Sequence, residues 1–166
     1  MLINSKQIQF RQQLTNSDKQ SVRNIALSSG FFRDDEVDVA VELVEEVIQK
    51  GEASGYHFIF AELNGITAGF ACFGPIPCTI GSFDLYWIAV DEKYRAQGLG
   101  KLLLRQVELS VEAMGGRQIF IETSSTLKYE PTRNFYITSG YLQVARLPDF
   151  YLIEDDKLIF SRKIKS

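Results

Sequence analysis

The sequence predicts a single α+β domain over residues 1–166, with a mixed, mostly antiparallel sheet flanked by helices. Three observations carry that prediction. Asn64-Gly65 lies between two apolar, β-rich runs, which is the strongest short-range signal of a hairpin. The stretch Asp84 to Met114 places an aromatic and β-branched strand, a basic glycine turn and an amphipathic helix in direct succession. Around these, the hydrophobic period alternates between two and 3.6 with no internal repeat, low-complexity tract or linker, in the order β-α-α-β-β-β-α-β-α-β-β.

The elements follow in chain order. Gln7 to Leu14 sets Ile8 and Phe10 against Gln9 and Arg11, a short strand with one face to a core. Thr15-Asn16-Ser17-Asp18 supplies N-cap residues for a helix to about Ser28, closed by Gly30. Asp34-Asp35 opens an acidic helix to Lys50, ended by Gly51, with Val37, Val41, Val44 and Ile48 as its buried stripe. Tyr56–Leu63 and Ile66–Phe73 are the arms of the hairpin. Gly74-Pro75-Ile76-Pro77 breaks the second arm, and Cys78 to Val90 is the next strand. Leu102 to Met114 reads as a helix on Leu103, Val107 and Val111, with Leu102 and Leu109 beside that stripe. Gln118–Thr123 is a strand, Ser124–Tyr129 a loop, and Glu130-Pro131 opens a short helix that stops at Ser139-Gly140. Tyr141–Leu147 and Lys157–Lys163 are the last two strands, separated by a loop over 148–156.

The turn between Val90 and Leu102 holds the chemistry. Glycines let a ligand approach the backbone, the first-turn N–H groups of a helix lack internal partners, and the helix dipole favours an anion there. The turn lacks P-loop spacing, and Ala96 stands where a dinucleotide fold has its first glycine. Arg95-Ala96-Gln97-Gly98-Leu99-Gly100 does fit the pattern Gln/Arg-x-x-Gly-x-Gly/Ala. Preceded by Trp87-Ile88-Ala89-Val90-Asp91 and followed by Lys101-Leu102-Leu103-Leu104, it makes the chain resemble the GNAT family of N-acetyltransferases, whose acetyl-CoA pyrophosphate loop has this pattern. The resemblance covers nearly the whole chain from about Ile8, and the order of elements agrees with the GNAT (acyl-CoA N-acyltransferase) fold.

That resemblance implies direct acetyl transfer from acetyl-CoA to a primary amine in a ternary complex, without a metal or an enzyme nucleophile. The site must then bind the carrier, deprotonate the amine, stabilise an oxyanion and protonate the leaving thiolate. Phe135-Tyr136-x-x-x-Gly140-Tyr141 matches the family signature in which the residue at Tyr136 faces the sulfur. A phenol with an ordinary pKa of about 10 is protonated at neutral pH and can donate. Asp84 and Glu122 are the candidate bases, with a water chain as the alternative. Under a period of two, Asp84 shares a strand face with Tyr86 and Ile88. Ile88, Ala89 and Val90 are expected to offer backbone groups to the pantetheine arm. Ala96, Gln97, Gly98, Leu99, Gly100 and Lys101 are expected to wrap the pyrophosphate. Arg95 and Lys101 either add charge there or are solvated cations. Tyr129 departs from the Asn that many members use to hold the arm, leaving Thr132 or Asn134 as substitutes.

The acceptor side falls on Phe31, Phe32 and Arg33, with 146–151 and 73–77 as further walls. An aromatic pair beside an arginine suits a small amine that also carries a carboxylate, such as an amino acid; core packing of both rings is the alternative. A protein or peptide amine is a second acceptor class. A CoA-binding sensor or interaction module without turnover is the rival of a different kind. The resemblance also allows a homodimer.

Composition bounds the rest. A length of 166 residues suits one core, and a net charge of −3 without a basic run gives no reason to expect nucleic acid. Two cysteines, Cys72 and Cys78, fit free thiols in a reducing compartment, with a disulfide between them as the alternative. Met1 to Gln7 is not the start of a signal peptide, and no apolar run approaches membrane-spanning length, so a cytoplasmic protein is expected.

Overall fold

The computed structural model describes residues 7–164; of the stretch Met1 to Gln7, read above as no leader, all but Gln7 lies outside the described residues. Its elements are β1 Ile8–Arg11, α1 Asp18–Ser29, α2 Asp34–Lys50, β2 His57–Leu63, β3 Ile66–Pro75, β4 Ser82–Val90, α3 Leu99–Ala113, β5 Gln118–Ser124, α4 Glu130–Thr138, β6 Leu142–Leu152 and β7 Asp155–Lys163. The seven strands form one mixed sheet in the order β1-β2-β3-β4-β5-β7-β6, flanked by the four helices. The β4–β5 pair is parallel, and β1–β2, β2–β3, β5–β7 and β6–β7 are antiparallel. This is the GNAT fold.

The chain falls into two compact units. One comprises the chain up to Gly74 together with Trp87–Leu109; the other comprises Pro75–Tyr86 and the chain from Ser110 onward. In the first, Val22 and Ile25 of α1, Ala40 and Val44 of α2, and Phe58, Phe60, Phe70 and Cys72 of β2 and β3 form a buried cluster. The α2 stripe runs through Val37, Ala40 and Val44, whereas Ile48, expected inside, is 38% exposed. The steps 37-40-44-47 hold the 3.6-residue period, so Val47 packs on the cluster and Ile48 rotates outward. Asn64 and Gly65 both take positive φ, 51° and 78°, as the tight hairpin turn requires. Gly69 has no room for a side chain, since a Cβ would lie 2.9 Å from the Ala89 carbonyl oxygen.

The first unit also holds a part-buried ion pair that no motif announces. Arg11 of β1 donates through Nη2 to Asp18 Oδ1 at 2.8 Å and through Nη1 to Oδ2 at 2.9 Å, while its Nε reaches Glu62 Oε1 at 2.7 Å. The Thr15 N–H donates to the same Asp18 carboxylate at 2.7 Å. Ser17 precedes α1 without making a side-chain cap. Asp18 instead anchors the first turn, favoured there by the helix dipole as well.

In the second unit, Phe83, Leu85, Val111, Ile119, Ile121, Tyr136, Tyr141, Leu158 and Phe160 are buried. Besides β1, which ends at Arg11 and not at Leu14, and β3, which runs to Pro75, three boundaries differ from those expected. Strand β4 begins at Ser82 because Cys78 and Gly81 adopt positive φ and Thr79 Oγ1 donates to the Ile76 carbonyl at 2.7 Å, which makes 78–81 a turn. Helix α3 begins three residues early, at Leu99, with Gly98 at φ 87° just before it. Strand β6 continues through 148–152, where a loop was expected. Pro148 is tolerated because β6 is the outermost strand, and Asp149, at φ 50°, lies within a register shift against β7. Both cysteines are free, Cys72 buried and Cys78 exposed. Among the described residues no helix is long and apolar enough to cross a membrane.

Candidate active site

The turn into α3 is built from 91 onward. The Asp91 N–H donates to the Ala68 carbonyl at 2.9 Å, and Asp91 Oδ1 accepts from the Lys93 N–H at 2.9 Å, opening a short 3₁₀ turn over Glu92–Tyr94. Ala96 follows at φ 57°, a left-handed conformation that costs a residue with a Cβ, and such strain clusters at functional sites. The Leu102 N–H donates to the Gly98 carbonyl at 3.2 Å. The amides of Leu99, Gly100 and Lys101 therefore belong to the first turn and have no acceptor within the helix. Gln97 Nε2 is turned back to the Lys93 carbonyl at 3.0 Å, and the Lys101 side chain is exposed. The arrangement can cradle an anion on main-chain donors. Arg95 does not join it from solvent: its guanidinium donates to the carbonyls of Ser28 and Ser29 at the end of α1 and lies 5.4 Å over the Phe31 ring.

Upstream, Ala89 is buried and Ile88 and Val90 are half-buried. Within the second unit, the β4–β5 register runs from Ser82↔Gln118 to Leu85↔Ile121.

The proton-transfer candidates lie in the second unit. Asp84 pairs across with Phe120 on β5, and Glu122 sits two residues further along that strand. Burial first, then the neighbouring Glu122 charge, pushes the Asp84 carboxyl above its ordinary value, with Lys157 pulling the other way. Lys157 on β7 donates to Glu122 Oε2 at 2.8 Å and lies 3.7 Å from the Phe150 ring centroid. Glu122 therefore pairs with Lys157 and not with Arg133, whose Nη1 donates to the carbonyls of Ser124 and Thr126. No motif marks Lys157: it sits on the last strand, and the β5–β7 register brings it to Glu122. If Asp84 is the base, its neighbours must move the acid limb of the rate–pH profile in opposite directions. Glu122→Gln should shift that limb to lower pH and Lys157→Met to higher pH. Rate–pH profiles of the two variants with one common acceptor check this.

Tyr136 on α4 is buried, its ring 6.1 Å from Tyr141, 6.2 Å from Phe160 and 5.4 Å from Phe135. Burial raises its pKa, so the phenol keeps its proton throughout the working pH range. Phe135 beside it is half-buried. Tyr129 sits in a 3₁₀ turn ahead of α4, with Lys128 Nζ 6.0 Å from its ring, while Thr132 is half-buried and Asn134 exposed on α4. Thr123 Oγ1 is a buried hydroxyl with no hydrogen-bond partner among the described residues.

On the acceptor side, Phe32 packs on Trp87 with ring centroids 4.8 Å apart, and Phe31 lies under Arg95. Both rings are half-buried. Arg33 Nε pairs with Asp35 Oδ1 at 3.0 Å, so its charge already has a carboxylate. His57 stacks on Phe73 at 5.5 Å, and burial holds it below its ordinary pKa, consistent with a packing role.

Residues 54–142 match the family model of the acetyltransferase (GNAT) domain. A protein from Desulfovibrio desulfuricans, described as an acetyltransferase of the GNAT family, is 46% identical. The alignment covers 95% of this chain and 99% of that one, with a TM-score of 0.93. The ribosomal-protein-S18-alanine N-acetyltransferase from Escherichia coli shares the fold at 22% identity and TM-score 0.75, covering 96% of this chain and 95% of that one. An aminoglycoside 6'-N-acetyltransferase complexed with coenzyme A does so at 19% and 0.75, covering 96% and 97%. Among curated proteins, no relative matches. The loop Arg95–Gly100, the seven-stranded sheet that carries it and the 46% identity along nearly the whole chain lead to one conclusion: the chain belongs to the GNAT acetyltransferase family.

Proposed function

We propose that this protein transfers an acetyl group from acetyl-CoA directly to a primary amine of a small molecule. The observation that carries the reading is the Arg95–Gly100 turn, which offers the first amides of α3 to an anion in a chain of this family. The turn's amides would hold the carrier pyrophosphate, and backbone groups of Ile88–Val90 the pantetheine arm and the oxyanion. Asp84, held above its ordinary pKa, suits a base that accepts the proton of the amine, and Glu122, neutralised by Lys157, tunes it. Tyr136 would return a proton to the departing thiolate. The two free thiols fit action in the cytoplasm.

Thermal unfolding with acetyl-CoA, CoA and ATP tests the carrier. A ligand that binds the native state raises the midpoint, so both CoA forms should raise it and ATP should not. Gly98→Glu places bulk and negative charge where the phosphate would sit, and at φ 87° it also strains the backbone. CoA affinity should fall about a hundredfold or more, that is at least ~2.7 kcal/mol of binding free energy. Undiminished CoA binding by calorimetry would remove the loop from the reading.

A second acceptor class, a protein or peptide amine, is favoured by the β6–β7 hairpin. Phe150, Tyr151 and Leu152, on an outermost strand of the sheet, and Ile153, in the turn that follows, are 50%, 46%, 70% and 81% exposed. Such an edge can take an extended peptide by main-chain pairing, with its side chains on apolar residues. An amine panel that pairs amino acids with short peptides of apolar first residue separates the two classes. Sedimentation of the same sample tests the homodimer.

A further inference from the structure

The loop that would take the carrier and the segment that would meet the acceptor are fastened together within the first unit. The last-turn carbonyls of a helix lack intrahelical donors, and the negative end of its dipole favours a cation. Helix α1 has no basic residue in its last turn. That cation comes instead from Arg95, whose Nη2 donates to the Ser28 carbonyl at 3.3 Å and to the Ser29 carbonyl. A second tie runs alongside, from the Glu92 N–H to Ser28 Oγ at 3.3 Å.

Immediately past these carbonyls the chain turns at Gly30, φ 70°, into Phe31 and Phe32. Phe31 carries the Arg95 guanidinium on its face, and its N–H donates to Ser29 Oγ at 3.3 Å. Phe32 is held by Trp87, the residue before Ile88 on β4. Both aromatic residues of the acceptor segment thus rest on residues of the carrier elements. The fastening point adjoins the strained Ala96, so the backbone that must present amides to a phosphate is the backbone the clamp holds.

We infer that Arg95 is a positioning residue: docked on the end of α1, it couples occupation of the phosphate loop to the order of the Ser28–Arg33 acceptor segment. An anion on the amides of 97–101 favours the docked loop, and the docked loop fixes Phe31. By linkage, whatever orders that segment tightens carrier binding to the same degree. The inference rests on the carrier reading of the loop.

Hydrogen exchange of the full chain, with and without CoA, tests it. In the wild type, CoA should slow exchange in peptides covering 96–102 and also in peptides covering 28–33. In Arg95→Gln the protection at 96–102 should remain and that at 28–33 should be lost, with CoA affinity down about fivefold, at the low end of ordinary coupling. Arg95→Lys, whose ammonium can still donate to the two carbonyls, should restore part of the 28–33 protection. A merely structural arginine would loosen 28–33 equally with and without CoA, leaving the CoA-dependent difference intact, and that result overturns the proposal. So does a wild type protected by CoA at 96–102 alone, which leaves the carrier reading standing. No protection at 96–102 removes the carrier reading and this inference together. Should Arg95→Gln not fold, Arg95→Lys against Phe31→Leu, which removes only the ring under the guanidinium, makes the same comparison.

Discussion

Tyr136→Phe should lower turnover about a hundredfold or more while leaving CoA binding within about twofold, since a positioned general acid contributes ~10²–10⁴ in rate. The variant keeps the ring and loses only the oxygen, so packing against Tyr141 and Phe160 stays and the fold should survive. Burial keeps the phenol protonated across the pH range in which the amine is acetylated, which is the state a donor needs. A steady-state rate with any amine found active, set beside a calorimetric CoA titration, decides the matter. Unchanged turnover would leave Tyr136 as a packing residue and shift proton return to water.

The largest effect on stability should come from the Arg11–Asp18 pair. Asp18 is 1% exposed and its carboxylate accepts from Arg11 and Thr15, so Asp18→Asn removes the buried charge of the pair and leaves the half-buried guanidinium with Glu62 alone. Breaking a buried pair from one side costs about 3 kcal/mol, which chemical denaturation would show as a lower midpoint with an unchanged slope. The same pair sets an acid limit. Burial alone would raise the Asp18 pKa, but Arg11 and the Thr15 N–H outweigh it and hold it below the ordinary value. The folded state therefore binds this proton less readily than the unfolded chain. Its contribution to stability is present above the unfolded pKa of about 4 and drains away as pH falls through the lower folded value. Denaturation midpoints measured below pH 4 should drop in the wild type and respond less in Asp18→Asn.

Much of the architecture was legible because local chemistry and tertiary structure agree. Asp34 to Glu36 and Gly51 mark α2 at both ends, and observation places it at Asp34–Lys50. Asn64-Gly65 requires two positive φ values and has them. What escaped the sequence depends on register. Lys157 reaches Glu122 only because β5 and β7 pair with Glu122 opposite Ile159 and Ser124 opposite Lys157, a diagonal neighbour that no spacing along one strand reveals. Arg11 and Asp18 are close in sequence, yet their burial depends on Phe60 beneath the guanidinium, 4.6 Å from ring centroid to Cζ. The late stretch 148–152 reads as a loop because proline and aspartate are turn residues. An outermost strand tolerates both, and β6 runs on.

Trp87 is the single tryptophan of the chain, packed at a tilt against Phe32 and adjacent to Ile88. Its emission therefore comes from one place, with no second indole to dilute it. Changes in intensity or wavelength on adding a nucleotide or an amine would report on that short stretch of β4 and the ring packed against it. The wild-type chain thus carries an intrinsic fluorophore for stopped-flow kinetics, able to time the arrival of each ligand without a label.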